Sequence, residues 1–260
     1  MLVQAYAADK NEKCPWSVSE FEPVFNDRFV KISFLLATRN AHKISEIKTI
    51  LGDTFEYCSL KDWPGAPEVI EDAGTFAGNA TKKAVVLAHW VAGFPKLPQN
   101  RSKPSFVLAD DSGLEVDSLN GAPGIHSARF AALDTGCAGN SSDASNSEKL
   151  LRLLREVPLE LRTGRFRCVL ALTPVGERFT QNTSPVCLVD ELELATELFE
   201  GYCEGRIAFQ ARGQGGFGYD PLFLPVGYEQ TFSELGEHIK NQISHRAKAL
   251  MKCKQRLEGR

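Results

Sequence analysis

At 260 residues the chain is long enough for one large domain or two small ones. Its formal net charge is −3, from 30 basic and 33 acidic side chains, which argues against a general binder of polyanions but leaves room for a compact phosphate site. Seven cysteines, an odd number and never spaced CxxC, argue against a disulfide framework and a zinc site. These features together predict a cytoplasmic protein.

The sequence predicts neither a membrane-spanning helix nor a transit peptide, and so no membrane partner. No apolar run approaches the roughly 20 residues that a membrane-spanning helix needs. Residues 1–31 contain several acids and lack the Arg-rich character of a transit peptide. We therefore predict an N-terminal extension, 1–31, followed by one domain, 32–260.

Strands and helices are predicted to alternate without strict βαβ periodicity. Strands are predicted at 32–37, 54–60, 106–110 and 165–172. Helices are predicted at 41–51, 75–91, 148–157 and 239–257, the last preceded by a capping-box pattern at 231–234. Loops are predicted at 93–105 and 136–147, and a hairpin or loop at 113–124. Residues 189–199 are ambiguous, with enough Leu and Glu for a short helix. The pattern predicts an α/β fold, a single domain of two lobes around a long twisted mixed sheet, with the active site in the cleft between the lobes.

The stretch "LADDSGLE" places two adjacent carboxylates, Asp110 and Asp111, directly after an apolar run. Like charges this close repel each other unless a cation or a proton lies between them. In isolation a solvated turn explains them, because Asp, Ser and Gly are ordinary turn residues. Glu71 and Asp72 form a second acidic pair before a predicted helix, where they would complement the helix dipole or complete a Mg²⁺ site.

The stretch "ATRNAHK" lies where the first predicted strand meets the first helix. Free N–H groups at a helix start favour anions, and Lys43 falls on the first turn. A phosphate-binding turn is one interpretation, and a plain N-cap by Asn40 is the other.

Two further stretches suggest recognition of a base. In "RGQGGFGYDPLF" glycines surround Phe217, so that the backbone can approach a ligand while the ring offers a stacking face; an ordinary glycine-rich hairpin is the alternative. In "KNQISHRAKAL" the side chains of Lys240, His245 and Arg246 offer donors for purine O6, although such residues usually lie on the surface.

Taken in order, "ADDSGLEVDSLNGAPGIHSARF", "GGFGYDPLF" and "ISHRAKAL" resemble blocks of the inosine triphosphate pyrophosphatase family. The likeness covers about residues 32–257. It implies Mg²⁺-dependent hydrolysis, with Mn²⁺ as a substitute, of non-standard purine nucleoside triphosphates (ITP, dITP, XTP) to a monophosphate and pyrophosphate, which cleanses the nucleotide pool. It also implies a homodimer that binds no nucleic acid.

The resemblance also assigns roles to residues. Asp111 is the expected catalytic carboxylate and a metal ligand together with Glu71, while Asp72 and Asp110 are further candidate metal ligands. Substrate contacts are expected from Thr38, Arg39, Asn40, Ala41, His42, Lys43, Lys83, Ser112, Phe217, Gly218, Tyr219, Asp220, Lys240, His245 and Arg246.

The chain departs from the family pattern in four places. Arg39 stands where the family usually has glycine. The segment "EDAGTFAGNA" is one residue short and has Gly78 where glutamate is common. Residues 93–105 and 185–199 form longer stretches than the family pattern.

Two other functions remain open from the sequence. One is a Maf-type pyrophosphatase acting on modified pyrimidine or methylated nucleotides, although the "GGFGYDP" and "SHR" blocks favour the purine family. The other is a non-catalytic nucleotide sensor or RNA-binding module. The acidic pairs argue against RNA, because phosphate backbones favour an unbroken basic surface.

Overall fold

A six-stranded mixed sheet organises the part of the chain that the computed structural model describes, residues 31–94, 104–136, 139–176 and 191–259. The strand order is β2-β1-β3-β4-β5-β6. β1 is parallel to β2 and β3, and the remaining neighbours are antiparallel. The strands are β1 Ser33–Leu36, β2 Glu56–Ser59, β3 Phe106–Val116, β4 Thr163–Pro174, β5 Glu197–Ile207 and β6 Phe223–Pro225.

The helices cover both faces of this sheet. They are α1 Ala41–Leu51, α2 Phe76–Ala92, α3 Ala132–Thr135, α4 Asp143–Leu153, α5 Glu191–Ala195, α6 Phe232–Ile243 and α7 His245–Glu258. None of the described helices is long and apolar enough to cross a membrane.

Alternation along the central strands sorts their side chains into two cores. In β3, Leu108 packs with residues of α1 and α7 on one face, whereas Val107 and Ala109 pack with α2 on the other. A third core, which includes Leu114 and Phe166, lies around the far halves of the long strands. The single α/β domain built on a long mixed sheet is confirmed.

Local sequence patterns placed the N-terminal elements correctly. α1 ends at Leu51 and is followed by Gly52, whose φ of 79° suits glycine. Thr75 caps α2 by accepting a hydrogen bond from the Gly78 N–H. The ambiguous region contains the short α5, and β5 begins two residues later, at Glu197.

The prediction that a strand ends at Asp110 is wrong. β3 continues through Asp111, Ser112 and Gly113 to Val116, paired with β4 throughout. Ser112 and Gly113 are therefore not a turn. Gly113 is instead a point of close approach, because a Cβ there would collide with the Gly124 carbonyl oxygen and the Ser127 hydroxyl.

Two helix predictions also need correction. The predicted C-terminal helix, 239–257, is two helices separated at Ser244, whose backbone is extended and whose hydroxyl caps α7 by accepting from the Ala247 N–H. The capping box formed by Thr231 and Glu234 is confirmed, and it starts α6 well before residue 239. The helix predicted at 148–157 begins at Asp143, because Ser142 provides the N-cap, and it ends at Leu153.

Some predictions fall outside the described residues. They concern the N-terminal extension up to residue 30, most of the loop at 93–105 and the first part of the longer region at 185–199.

Candidate active site

The candidate site begins where β3 extends beyond β1. The pairing of the two strands stops at Leu36 and Leu108, whereas β3 continues beside β4 through Asp110 and Asp111. The two carboxylates therefore lie just past the carboxyl end of β1, where α1 begins. In open α/β sheets this is the edge at which ligands bind.

Asp110 and Asp111 face opposite sides of the sheet. Asp110 shares the face of Leu108, and its carboxylate is contacted by the Cys168 thiol on β4. Asp111 shares the face of Ala109, on the α2 side. Successive side chains of a strand alternate between faces, so the adjacent carboxylates enter different environments.

Asp110, only 3% exposed, is held by two cations. Its carboxylate contacts the Lys43 ammonium and accepts a 2.8 Å hydrogen bond from Arg246 Nε. Burial alone would raise the pKa of Asp110, but the charges of Arg246 and Lys43 outweigh it and hold this pKa well below its ordinary value. Ser112 joins the cluster, since its hydroxyl donates to Asp110 and accepts from Arg246, both at 2.9 Å.

Asp111 lies in the opposite electrostatic setting. It is 6% exposed, and its Oδ2 is buried with no hydrogen-bond partner among the described residues. Burial raises the pKa of Asp111 to about 6; the charge of Glu71 adds to the rise, while Lys43, Lys83 and Asn79 oppose it. A carboxylate with a pKa near neutrality and an unused oxygen can accept a proton or bind a cation.

The residues on the α2 side fit a Mg²⁺ ion. Glu71 is close enough to act on the charge of Asp111, and its carboxylate forms a 2.5 Å ion pair with Lys83. The described parts of the chain contain no group of three or more His, Cys, Asp or Glu residues that could hold a metal ion, but Mg²⁺ needs only one or two carboxylates besides water and substrate phosphates. Asp72 is largely exposed and pairs with Lys82 at 2.5 Å.

The start of α1 forms the predicted turn. Asn40 Oδ1 accepts from the backbone N–H groups of His42 and Lys43, and the Asn40 N–H donates to the Thr38 hydroxyl. Asn40 is therefore an N-cap, and the Lys43 ammonium reaches Asp110 of β3 from the same turn. The Arg39 guanidinium donates to the Ala66 carbonyl at 3.3 Å. Both interpretations of this stretch are thus compatible with the structure.

A pocket of about 200 Å³ opens beside this turn. Phe217 and Lys240 line it, and the Lys240 ammonium lies 4.2 Å from the centroid of the Phe217 ring. Asp220 anchors both, accepting from the Phe217 N–H at 2.9 Å and pairing with Lys240 at 2.6 Å. The pocket residues expected to contact substrate are Asn40, Lys43, Ser112, Phe217, Gly218, Tyr219, Asp220, Lys240, His245 and Arg246.

His245 and Arg246 both line the pocket, but their side chains differ in the polar partners that they contact. Arg246 is 1% exposed, and its guanidinium is engaged by Asp110, Glu46 and Ser112. His245 stacks on Phe166, with the ring centroids 4.8 Å apart, and its Nδ1 is buried without a partner among the described residues. Burial, reinforced by the charges of Arg246 and Lys240, holds the pKa of His245 well below its ordinary value, so the ring is neutral.

The remaining expected substrate residues do not line this pocket; they are Thr38, Arg39, Ala41, His42 and Lys83. Lys83 reaches from α2 to the Asp110 carbonyl oxygen at 3.4 Å. Ala41 and His42 are exposed on the first turn of α1, and His42 stacks on the Phe217 ring.

Glu46 and Asp143 are among the residues of the site that the sequence did not indicate. Glu46 is buried in α1 and pairs with both Arg246 and Lys240, at 2.7 Å from the latter. Its signal was a charge next to Ile47, on the inward face of α1. Asp143 accepts from the Gly218 N–H at 2.7 Å and so ties the glycine-rich loop to α4. Nothing local marked Asp143, because an acid in the first turn of a helix is ordinary.

Gly78 is explained by the short segment before α2. A Cβ at this position would lie 2.8 Å from the Ala73 Cβ and 3.1 Å from the Thr75 hydroxyl. The shortened segment thus returns so close to α2 that a glutamate at position 78 would require a backbone shift.

The stacking ring of Phe217, several polar groups and the capped start of α1 line one pocket, and Ser112, the neighbour of Asp111 in β3, lines it too; this arrangement suits a base and its phosphates. This is the arrangement found in nucleotide-hydrolysing α/β enzymes. The chain belongs to the Ham1 family, whose family model matches residues 34–256. The family membership predicted from the three sequence blocks is confirmed.

Similar proteins agree with this assignment. The chain is 42% identical to a dITP/XTP pyrophosphatase of Desulforamulus reducens, over 85% of this chain and 94% of the relative. It is 43% identical to the Geobacter sulfurreducens protein of that description, over 86% and 95%. Its structure resembles the Staphylococcus aureus Ham1 protein, with a TM-score of 0.66 and 32% identity over 87% of this chain and 98% of that one. For a HAM1 protein from Coxiella burnetii the TM-score is 0.67 and the sequence identity 31%, over 88% of this chain and 100% of that one.

Proposed function

We propose that this protein hydrolyses non-standard purine nucleoside triphosphates (ITP, dITP and XTP) to the monophosphate and pyrophosphate, and so cleanses the nucleotide pool. Relatives described as dITP/XTP pyrophosphatases match most of the chain. The observation that carries the proposal is the state of Asp111, which lies just past the end of β1. Its Oδ2 is buried without a partner among the described residues, and its pKa is raised to about 6.

The chemistry follows from the position of Asp111. Because its pKa is about 6, the carboxylate is largely ionised at neutral pH and can accept the proton of a water molecule that attacks the α-phosphorus. The bond between the α-phosphorus and the bridging oxygen to the β-phosphorus breaks, and pyrophosphate leaves. Lys43 of α1 and Lys83 of α2 both reach β3, and their ammonium groups offset the negative charge that grows on the phosphate oxygens.

Mg²⁺ is the proposed cofactor, with Mn²⁺ as a substitute. Asp111 and Glu71 would hold it, and when bound it would supply positive charge to the phosphate oxygens. Asp110 is a weaker candidate ligand, because its carboxylate is already occupied by Arg246 and Lys43. Asp72 is largely exposed, whereas Glu71 lies close enough to Asp111 to act on its charge, which favours Glu71 over Asp72.

The pocket supports preference for a purine with an oxygen at position 6. Phe217 offers a ring for stacking, and the side chain of the neutral His245 reaches the same pocket with one nitrogen unpartnered among the described residues. A ring N–H there pairs with the oxygen of inosine or xanthosine, whereas adenosine would place a donor against a donor. A buried polar group left unpaired costs about 1–3 kcal/mol. Guanosine shares O6, so its rejection needs a tight fit around the 2-amino group.

The wider setting is part of the proposal. We expect a homodimer in the cytoplasm, acting on free nucleotides, with no nucleic acid or membrane partner. Light scattering after size-exclusion chromatography tests the dimer.

A substrate panel tests the proposed function. With Mg²⁺ present, inosine and xanthosine triphosphates should be hydrolysed with kcat/KM at least about tenfold above that for adenosine triphosphate. Modified uridine triphosphates turned over fastest would favour the Maf-type alternative. Tight RNA binding without Mg²⁺-dependent turnover would favour the non-catalytic alternative.

A further inference from the structure

His42 and Phe217 form a stacked pair between two distant parts of the chain. Their ring centroids are 5.2 Å apart and their planes differ by 15°. His42 comes from the first turn of α1, where its N–H is fixed by Asn40, and Phe217 comes from the glycine-rich loop. The stack therefore joins the start of α1 directly to the ring proposed to hold the base.

The backbone of the glycine-rich loop is anchored independently of this stack. Asp220 accepts from the Phe217 N–H at 2.9 Å, and Asp143 accepts from the Gly218 N–H at 2.7 Å. These bonds fix the main chain but leave the torsions of the Phe217 side chain free. Among the described contacts of this ring, the stack with His42 and the Lys240 ammonium, 4.2 Å from its centroid, are the closest.

His42 reaches the Phe217 ring from outside the larger pocket. Phe217 and Lys240 line both that pocket and a smaller one of about 130 Å³. His42 lines only the smaller pocket, together with Glu46 and Glu237. The Phe217 ring thus separates the imidazole of His42 from the space in which a base would lie.

We propose that His42 is a positioning residue for the purine, which holds the Phe217 ring in the orientation that stacks on the base. This inference rests on the proposed function. It gives His42 a role at the base end of the substrate, although His42 lies in the turn predicted to bind phosphate. A brace of this kind limits the ring motion that would otherwise have to be lost when the base binds.

The two products separate a role at the base from a role at the phosphates. Inosine monophosphate carries the base, whereas pyrophosphate carries only the leaving phosphates. His42→Ala should weaken the binding of inosine monophosphate about two- to tenfold, the range for loss of one ring stack, and leave pyrophosphate binding within about twofold. His42→Phe keeps a ring and should restore the affinity for inosine monophosphate. Titration calorimetry with Mg²⁺ measures both ligands.

An exposed histidine elsewhere supplies the control. His238 lies on α6 and contacts Gln242, and His238→Ala should leave both affinities as in the wild type. Weaker pyrophosphate binding by His42→Ala with unchanged binding of inosine monophosphate would make His42 a phosphate ligand and overturn the inference. So would equal weakening of both ligands, which indicates a distorted helix start, or no change in either.

A double-mutant cycle with Phe217→Leu tests whether His42 acts through the ring. In the Phe217→Leu background, His42→Ala should change the affinity for inosine monophosphate by less than about twofold. An undiminished effect in that background would overturn the inference. Turnover of inosine triphosphate by the wild type is assayed on the same preparations: no turnover contradicts the proposed function, whereas turnover with unchanged binding by His42→Ala contradicts only the role of His42.

Discussion

The carboxylates of Asp110 and Asp111, neighbours in β3, project to opposite faces of the sheet and meet opposite electrostatic conditions. Arg246 and Lys43 stabilise the charge of Asp110, whereas burial and Glu71 destabilise the charge of Asp111. One residue is thus a permanent anion in an ion network, and the other is a carboxylate poised to take up a cation or a proton. The alternation of a β-strand directs the two side chains into these different surroundings.

Removing the charge of Asp111 should stabilise the metal-free protein at alkaline pH. The folded-state pKa of about 6 lies above the ordinary 3.8, so ionisation penalises the folded state above about pH 6 and has no effect below about pH 4. Asp111→Asn should therefore raise the free energy of unfolding by about 1–3 kcal/mol at pH 8 in EDTA, and by less at pH 5. Urea unfolding at the two pH values measures this. Equal stability of the variant and the wild type at pH 8 would contradict the electrostatic setting of Asp111.

The same substitution one residue earlier should have the opposite effect. Asp110→Asn removes the carboxylate that pairs with the partly buried Lys43 and leaves the buried Arg246 with Glu46 as its remaining carboxylate partner, and removing one member of a buried ion pair costs about 3–5 kcal/mol. The midpoint of urea unfolding at pH 7 should fall accordingly. Because the two variants differ only in position, Asp111→Asn is the matched control. A loss below about 0.5 kcal/mol for Asp110→Asn would show that the ion network adds little.

His245 should determine the preference for a purine with O6. His245→Phe keeps the stack on Phe166 but removes the ring nitrogens, so that O6 of inosine loses its partner. The ratio of kcat/KM for inosine to adenosine triphosphate should fall about tenfold. Steady-state kinetics with both substrates gives the ratio. A proportional loss for both substrates would assign His245 a packing role only.

Gly113 should not tolerate a side chain. Its Cβ would collide with the Gly124 carbonyl oxygen and the Ser127 hydroxyl and lie 3.0 Å from the Phe76 ring, so Gly113→Ala should destabilise the fold by about 1–3 kcal/mol. Gly74→Ala, at a position with nothing within 4 Å of the added Cβ, serves as the control. Thermal unfolding compares the two. A Gly113→Ala midpoint equal to that of Gly74→Ala would contradict the close approach.

Helices and strands whose ends are marked by nearby residues could be predicted from the sequence. Those whose extent depends on residues far along the chain could not. The boundaries of α1 follow from Asn40 and Gly52, which lie at its two ends. The continuation of β3 depends on cations 67 and 136 positions away in the chain, Lys43 and Arg246, which neutralise Asp110 inside the strand. Without them, two acids followed by Ser-Gly indicate a turn.

The residues of the candidate site likewise divide into those that the sequence blocks indicated and those that depend on distant contacts. The three sequence blocks supplied the pocket residues Ser112, Phe217 and His245 in advance. Glu46 was missed, because its partner Arg246 lies 200 positions further along the chain. The stack of His42 on Phe217 was not foreseen either, since a contact between side chains of a turn and a distant loop has no periodic pattern.

Product analysis with inosine triphosphate, comparing the wild type with Asp111→Asn in the presence of Mg²⁺, tests the central claim most directly. The wild type should release inosine monophosphate and pyrophosphate in equal amounts, and Asp111→Asn should be slower by about 10²–10⁴, the range for loss of a general base. Inosine diphosphate with orthophosphate from the wild type would contradict cleavage between the α- and β-phosphates. A rate for Asp111→Asn within tenfold of the wild type would contradict the role of Asp111.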